Sequence, residues 1–187
     1  MKYELWYSVV VRDRHGKVVS RERRRSKSFL KAWNEIIYIQ CHYAGTVNIT
    51  DTGNTVRAIP RHATNLTMNA PAGNINYGIR VGTGNTPVAI DDYALETPIA
   101  EGTGAGQMEH LVCTVATSVV AAPSCSFLVS RTIVNNSGGL ITVREAGIYM
   151  FISSFVVGDA VRDVLVAPQA VPNGGSITID WTIKVTV

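Results

Sequence analysis

The sequence is short of charge. Asp, Glu, Lys and Arg make up 17% of its 187 residues, against a usual share of about 25%. Hydrophobic residues reach 46%. That is enough apolar surface to offset the entropy of ordering the chain, so disorder over most of its length is excluded. Low charge suits a subunit that buries much of its surface against neighbours, because charge is depleted at interface cores. It equally suits a monomer rich in Ser, Thr and Asn.

Long apolar runs are missing too. None approaches the roughly 18 to 20 residues needed to span a bilayer. The opening MKYELWYSVVVRDRHG lacks a signal-peptide layout, since Glu4 sits in its apolar stretch and no small-residue cleavage site follows. Folding in a cytoplasm is the expectation, and the three glycosylation sequons at Asn48, Asn65 and Asn135 then read as chance. Cysteine is scarce: Cys41, Cys113 and Cys125 form no close pair, and free, buried thiols are expected. Cys113 and Cys125 can oppose each other across a hairpin, which leaves one disulfide open.

The signatures of catalysis are absent as well. His15, His42, His62 and His110 lie far apart, and none has a partner at metal-ligand spacing. Asp91, Asp92 and Glu96 are the densest carboxylates, a set that suits either a hard cation or the capping of a turn. The glycines at 82 and 84, and at 102, 104 and 106, match neither the dinucleotide fingerprint nor the P-loop. There is no Gly-x-Ser-x-Gly elbow. No acid, base and nucleophile converge, so the chain reads as a non-enzyme without metal or other cofactor.

What the sequence does have is asymmetric charge. Residues 12–31 hold nine Lys or Arg and two acids, a local sum of +7 in a chain of net +3, which leaves −4 elsewhere. Arg21, Arg23, Arg24, Arg25 and Lys27 are the densest part of this run. They suit a nucleic-acid backbone, or structurally a solvated strand end and loop or a patch that docks on an acidic neighbouring subunit. No aromatic residue interleaves the run, which argues against base stacking and favours the structural reading.

It also has strand patterning. Tyr3 to Arg12 and Lys17 to Arg23 flank the turn at His15-Gly16 and read as a hairpin. The recurrence of Phe29, Leu30, Trp33, Ile36, Ile37 and Cys41 predicts one helix over residues 28–43. Beyond residue 45 helix signals almost vanish. Short strands at Thr46 to Thr50, Thr55 to Ile59 and Tyr77 to Val81 precede a long irregular stretch over 85–106. Longer strands follow over 109–121, 126–135, 140–156 and 159–167. The last, Ser176 to Val187, alternates strictly, with Ile177, Ile179, Trp181, Ile183, Val185 and Val187 on one face. The fold class expected is mostly β, an antiparallel β-sandwich of jelly-roll type, with an N-terminal β-hairpin and one α-helix. Residues 1–44 form the basic hairpin plus helix in this reading, and residues 45–187 the sandwich.

Three stretches carry a resemblance. Gly78 to Ile99 with Gly102 to Gln107, then Ala160 to Pro168 with Val171 to Ile179, and Ser26 to Leu30 opening a helix after a basic hairpin, resemble virion structural proteins of tailed bacteriophages and related prokaryotic viruses. The resemblance spans residues 26–187 and rests on turns and strands. It implies a particle subunit in many copies, decorating the head or belonging to the tail, made in a host cytoplasm. Its partners would be copies of itself and other virion proteins, with no membrane. On that reading the hairpin and helix dock, which makes Phe29, Trp33 and Ile37 interface candidates, and Asp91, Asp92 and Tyr93 lie at a subunit junction. The alternative is a carbohydrate- or surface-binding β-sandwich module of a tail, with Tyr77, Tyr93 and Tyr149 as a sugar platform.

Overall fold

A computed structural model describes residues 2–26, 28–42, 45–153 and 156–187. In chain order its elements are β1 (Lys2–Arg12), β2 (Val18–Ser26), α1 (Lys31–Cys41), β3 (Thr46–Thr50), β4 (Val56–Pro60) and β5 (Gly78–Gly82). Then come β6 (Glu109–Val115), β7 (Val119–Ala121), β8 (Ser124–Val134), β9 (Ile141–Phe151), β10 (Val157–Val171) and β11 (Ser176–Thr186). The chain is mostly β, with one helix among the described residues.

The large sheet runs β2-β1-β11-β8-β6, with β7 also paired to β8, and every pairing is antiparallel. Its inner face follows from the period of two. Leu5, Tyr7, Val9 and Val11 on β1 stand opposite Ile183, Trp181, Ile179 and Ile177 on β11, and all eight are buried. Trp181 is the largest fully buried side chain. Burying such an aromatic removes about 150–250 Å² from water, one of the larger single contributions available to a core.

The small sheet runs β10-β9-β5. Ala146, Ile148 and Met150 on β9 meet the same core, with Val161 on β10 and Ile79 and Val81 on β5. The two sheets therefore share one apolar interior, a sandwich-like arrangement. The strand order does not establish jelly-roll connectivity. Helix α1 and the β3–β4 ribbon close the same interior, through Trp33, Ile36 and Ile39 on the helix and Val47, Ile49 and Ile59 on the ribbon.

Several boundaries differ from the sequence reading. The helix starts at Lys31, after Phe29 has bridged to Val161 and the Leu30 amide has bonded to the Ala160 carbonyl at 3.0 Å. Tyr43, where the expected helix ends, lies outside the described residues. The strand expected over 109–121 is one edge in two pieces, β6 and β7, both lying along β8. The strand expected to run to residue 156 ends at Phe151, and β10 extends past Pro168 to Val171 with two register shifts. β1, assigned to a separate N-terminal element in the sequence reading, lies inside the large sheet and pairs β11 over eleven residues. The N-terminal hairpin is part of the main sheet.

Candidate functional site

The helical interface candidates are used inside the chain. Phe29 stacks between Tyr3, at 5.2 Å, and Trp33, at 5.0 Å. Trp33 is only 5% exposed, and Ile37 is partly buried against the core. The helix turns its apolar stripe inward because that stripe is what closes the open end of the two sheets. Its exposed positions are Lys31, Asn34, Tyr38 and Cys41. Asp91, Asp92 and Tyr93 do lie beside it. The Lys31 amide donates to the Ile90 carbonyl at 2.9 Å, and a small cavity of about 50 Å³ is lined by Lys31, Ala32 and Glu35 on one side and residues 91–93 on the other. Of the three loop residues only Asp91 is fully exposed.

Asp92 belongs to a polar cluster on the outer face of the small sheet, beneath the 83–98 loop. Arg162 is its hub. The guanidinium donates to Glu145 Oε2 at 2.9 Å, to Asp92 Oδ2 at 2.7 Å and to the Thr86 carbonyl at 3.1 Å. Glu145 in turn accepts from the Gly84 amide at 3.1 Å, the Glu96 amide at 3.1 Å and the Thr97 amide at 2.8 Å. Glu96 accepts from the Asn85 and Thr86 amides, and the Thr86 side chain first, then these amides, hold its carboxyl below the usual range. Every carboxylate here except one is satisfied. The cluster therefore anchors a loop. Among the described residues no group of three or more His, Cys, Asp or Glu is placed to hold a metal ion.

The exception is Asp159. It is fully buried, and neither oxygen closes a hydrogen bond. Desolvation drives its pKa well above the ordinary value. Tyr149, opposite it on β9, accepts at its hydroxyl from the Leu95 amide at 2.8 Å and lies under the Arg80 guanidinium, 5.6 Å from the ring centre. Burial raises its pKa. Tyr149, Tyr93, Arg80 and Asn76 wall a cavity of about 400 Å³. Tyr77, the third aromatic of the proposed sugar platform, tilts against Phe151 at 5.5 Å instead.

A second buried set joins the two sheets. Arg131 donates to the carbonyls of Leu111 at 2.7 Å, Asn74 at 2.7 Å and Ile79 at 3.1 Å. His110 Nδ1 lies 2.8 Å from Glu101 Oε2, while its Nε2 is buried without a partner. Desolvation first, then the nearby Arg80, push its pKa down to about 4, against the Glu101 hydrogen bond.

The free edges of the large sheet differ sharply. On one edge, Leu111, Val112, Val115, Val119 and Val120 are 44%, 53%, 43%, 61% and 79% exposed. On the other, Arg21, Arg23, Arg24 and Arg25 are all exposed on β2, while Lys27 lies outside the described residues. The cross-strand register adds what the run of sequence concealed. Arg25, Arg23 and Arg21 stand opposite Trp6, Ser8 and Val10 on β1. The Arg23 guanidinium lies over the Trp6 ring at 5.3 Å. The aromatic missing from the run is thus supplied by the adjacent strand, and the hairpin turn and period of two were the signal that could have located it.

No protein-family model matches the chain, and neither curated proteins nor solved structures provide a significant match.

Proposed function

We propose that this chain is a structural subunit of a virus particle, a capsid decoration, minor capsid or tail protein, present in many copies and held by contacts with other copies and other virion proteins. The observation that carries the assembly reading is the β6–β7 edge. Five Val and Leu side chains are exposed along β6 and β7 at one end of the large sheet. On β6 the His110 carbonyl and the Cys113 amide are already bonded to Gly73 and Ala70, so it is β7, paired only to β8, that offers unpaired N–H and C=O groups to another chain. Covering these residues contributes on the order of 1 kcal/mol each, set against the cost of association. The strip holds few charges, with Glu109 the one Asp, Glu, Lys or Arg along residues 109–121. The β2 edge carries four arginines and would repel its own copy. A second copy of the same apolar edge is therefore the best-matched occupant. The viral part of the reading rests on the resemblance of residues 26–187.

Sedimentation velocity over a concentration series tests the assembly. The expected result is self-association that Val119→Lys with Val120→Lys abolishes while the fold, read by circular dichroism, persists. A wild-type chain that stays monomeric at every concentration overturns the proposal. The second reading, a carbohydrate-binding tail module, is favoured by the shared cavity of Tyr93 and Tyr149. A glycan array without a single binder removes it.

A further inference from the structure

We infer that the outer face of the large sheet, on its β2–β1 side, binds a nucleic-acid strand through its phosphates. This inference stands on a different surface from the assembly edge. With the neighbouring strand β11 included, six cations, Lys2, Arg12, Arg21, Arg23, Arg25 and Lys184, share that face with two carboxylates, Glu4 and Asp180, and Asp180 already accepts from the Ser130 hydroxyl. Glu4 is largely occupied, by Lys2 at 2.5 Å and by Arg25 at 3.8 Å. The cations are therefore in clear excess.

The arrangement is linear. Arg21, Arg23 and Arg25 alternate along one strand, so their side chains leave the sheet about 6.6 Å apart. A row of cations at this spacing suits the repeating charges of an extended phosphodiester chain. Ser8 and Thr182, on the same face, offer hydroxyl donors to phosphate oxygens. The Arg23 guanidinium, backed by Trp6, presents a planar surface on which an unpaired base can stack. An acidic protein would satisfy the charges but would leave that stacked pair without a use, and the single-stranded form uses both features.

Fluorescence anisotropy with a labelled oligothymidylate, and with a duplex of equal length, across a salt series tests this on the full chain. Tighter binding of the single strand is expected, with affinity falling as salt rises. Replacing Arg21, Arg23 and Arg25 together with Ala should reduce the steepness of the log–log salt plot by about 2. Trp6→Ala should weaken single-strand binding about 5- to 150-fold while leaving the salt slope nearly unchanged. Replacing the exposed Arg61 and Arg144, which lie off this face, should change neither. The arginine-to-lysine triple variant guards against a folding artefact, because it keeps the charge and should keep the slope. Nucleic-acid affinity indifferent to the alanine triple variant overturns the inference. So does arginine-dependent binding of polyglutamate with no binding of either nucleic acid, which would mark the face as a protein contact.

Discussion

Arg162 and Glu145 form an ion pair at 2.9 Å in which the side chains are 2% and 0% exposed. They stand on neighbouring strands of the small sheet, and between them they bind the backbone of the 83–98 loop at Gly84, Thr86, Glu96 and Thr97. Removing one partner leaves an uncompensated buried charge, which typically costs about 3–5 kcal/mol. Arg162→Leu should lower the unfolding free energy by about that amount in urea titration. Hydrogen exchange at Gly84 and Thr97 should accelerate beyond the global change, because their acceptor loses its orientation.

Asp159 has the opposite character, because its burial disfavours the fold at neutral pH. Its folded pKa lies above the unfolded value of about 3.9. Its contribution is therefore fully present below that unfolded value and is lost as pH rises towards the folded pKa. Asp159→Asn removes the titration and should raise the melting temperature at neutral pH, with the gain shrinking as the buffer is made acidic. A variant no more stable than wild type at neutral pH would show that the carboxylate has a partner after all.

His110 sets an acid limit of its own. Its folded pKa of about 4 lies below the unfolded value of about 6.5. Its stabilising effect is complete above 6.5 and drains away as pH falls from there towards 4, by at most about 3 kcal/mol. Arg80, Arg131 and Glu101 face it. Guanidine midpoints for wild type and His110→Gln should differ least at low pH, diverge as pH rises from about 4 to about 6.5, and keep a constant difference above that.

The parts of this fold that were legible in the sequence are those whose periodicity is local. The alternation of Ile177, Ile179, Trp181 and Ile183 located β11 and its buried face correctly. The apolar recurrence from Phe29 to Cys41 located the helix, but it could not say that Trp33 faces the chain's own core and not a partner. The register shifts in β10 had no local signal, since they answer to β9 across the ladder. The pairing of Asp92 with Arg162 joins residues far apart in the chain and was invisible for the same reason. That Trp6 shares a face with the β2 arginines was within reach, because hairpin alternation sets the faces; that Arg23, diagonal to it, and not the directly opposed Arg25 covers its ring was not.

Lys2 lies across from Thr186, and Arg12 from Ser176. During vectorial synthesis on a ribosome, β1 and β2 emerge early, whereas the strand that seals the other flank of β1 emerges after everything else described here. Leu5, Tyr7, Val9 and Val11 must wait through that interval with one side of their ladder unmated. Because β11 also joins β1 to β8, clipping away residues 176–186 would not fray a margin but cut the large sheet through its middle, and premature termination should yield a product fit only for degradation.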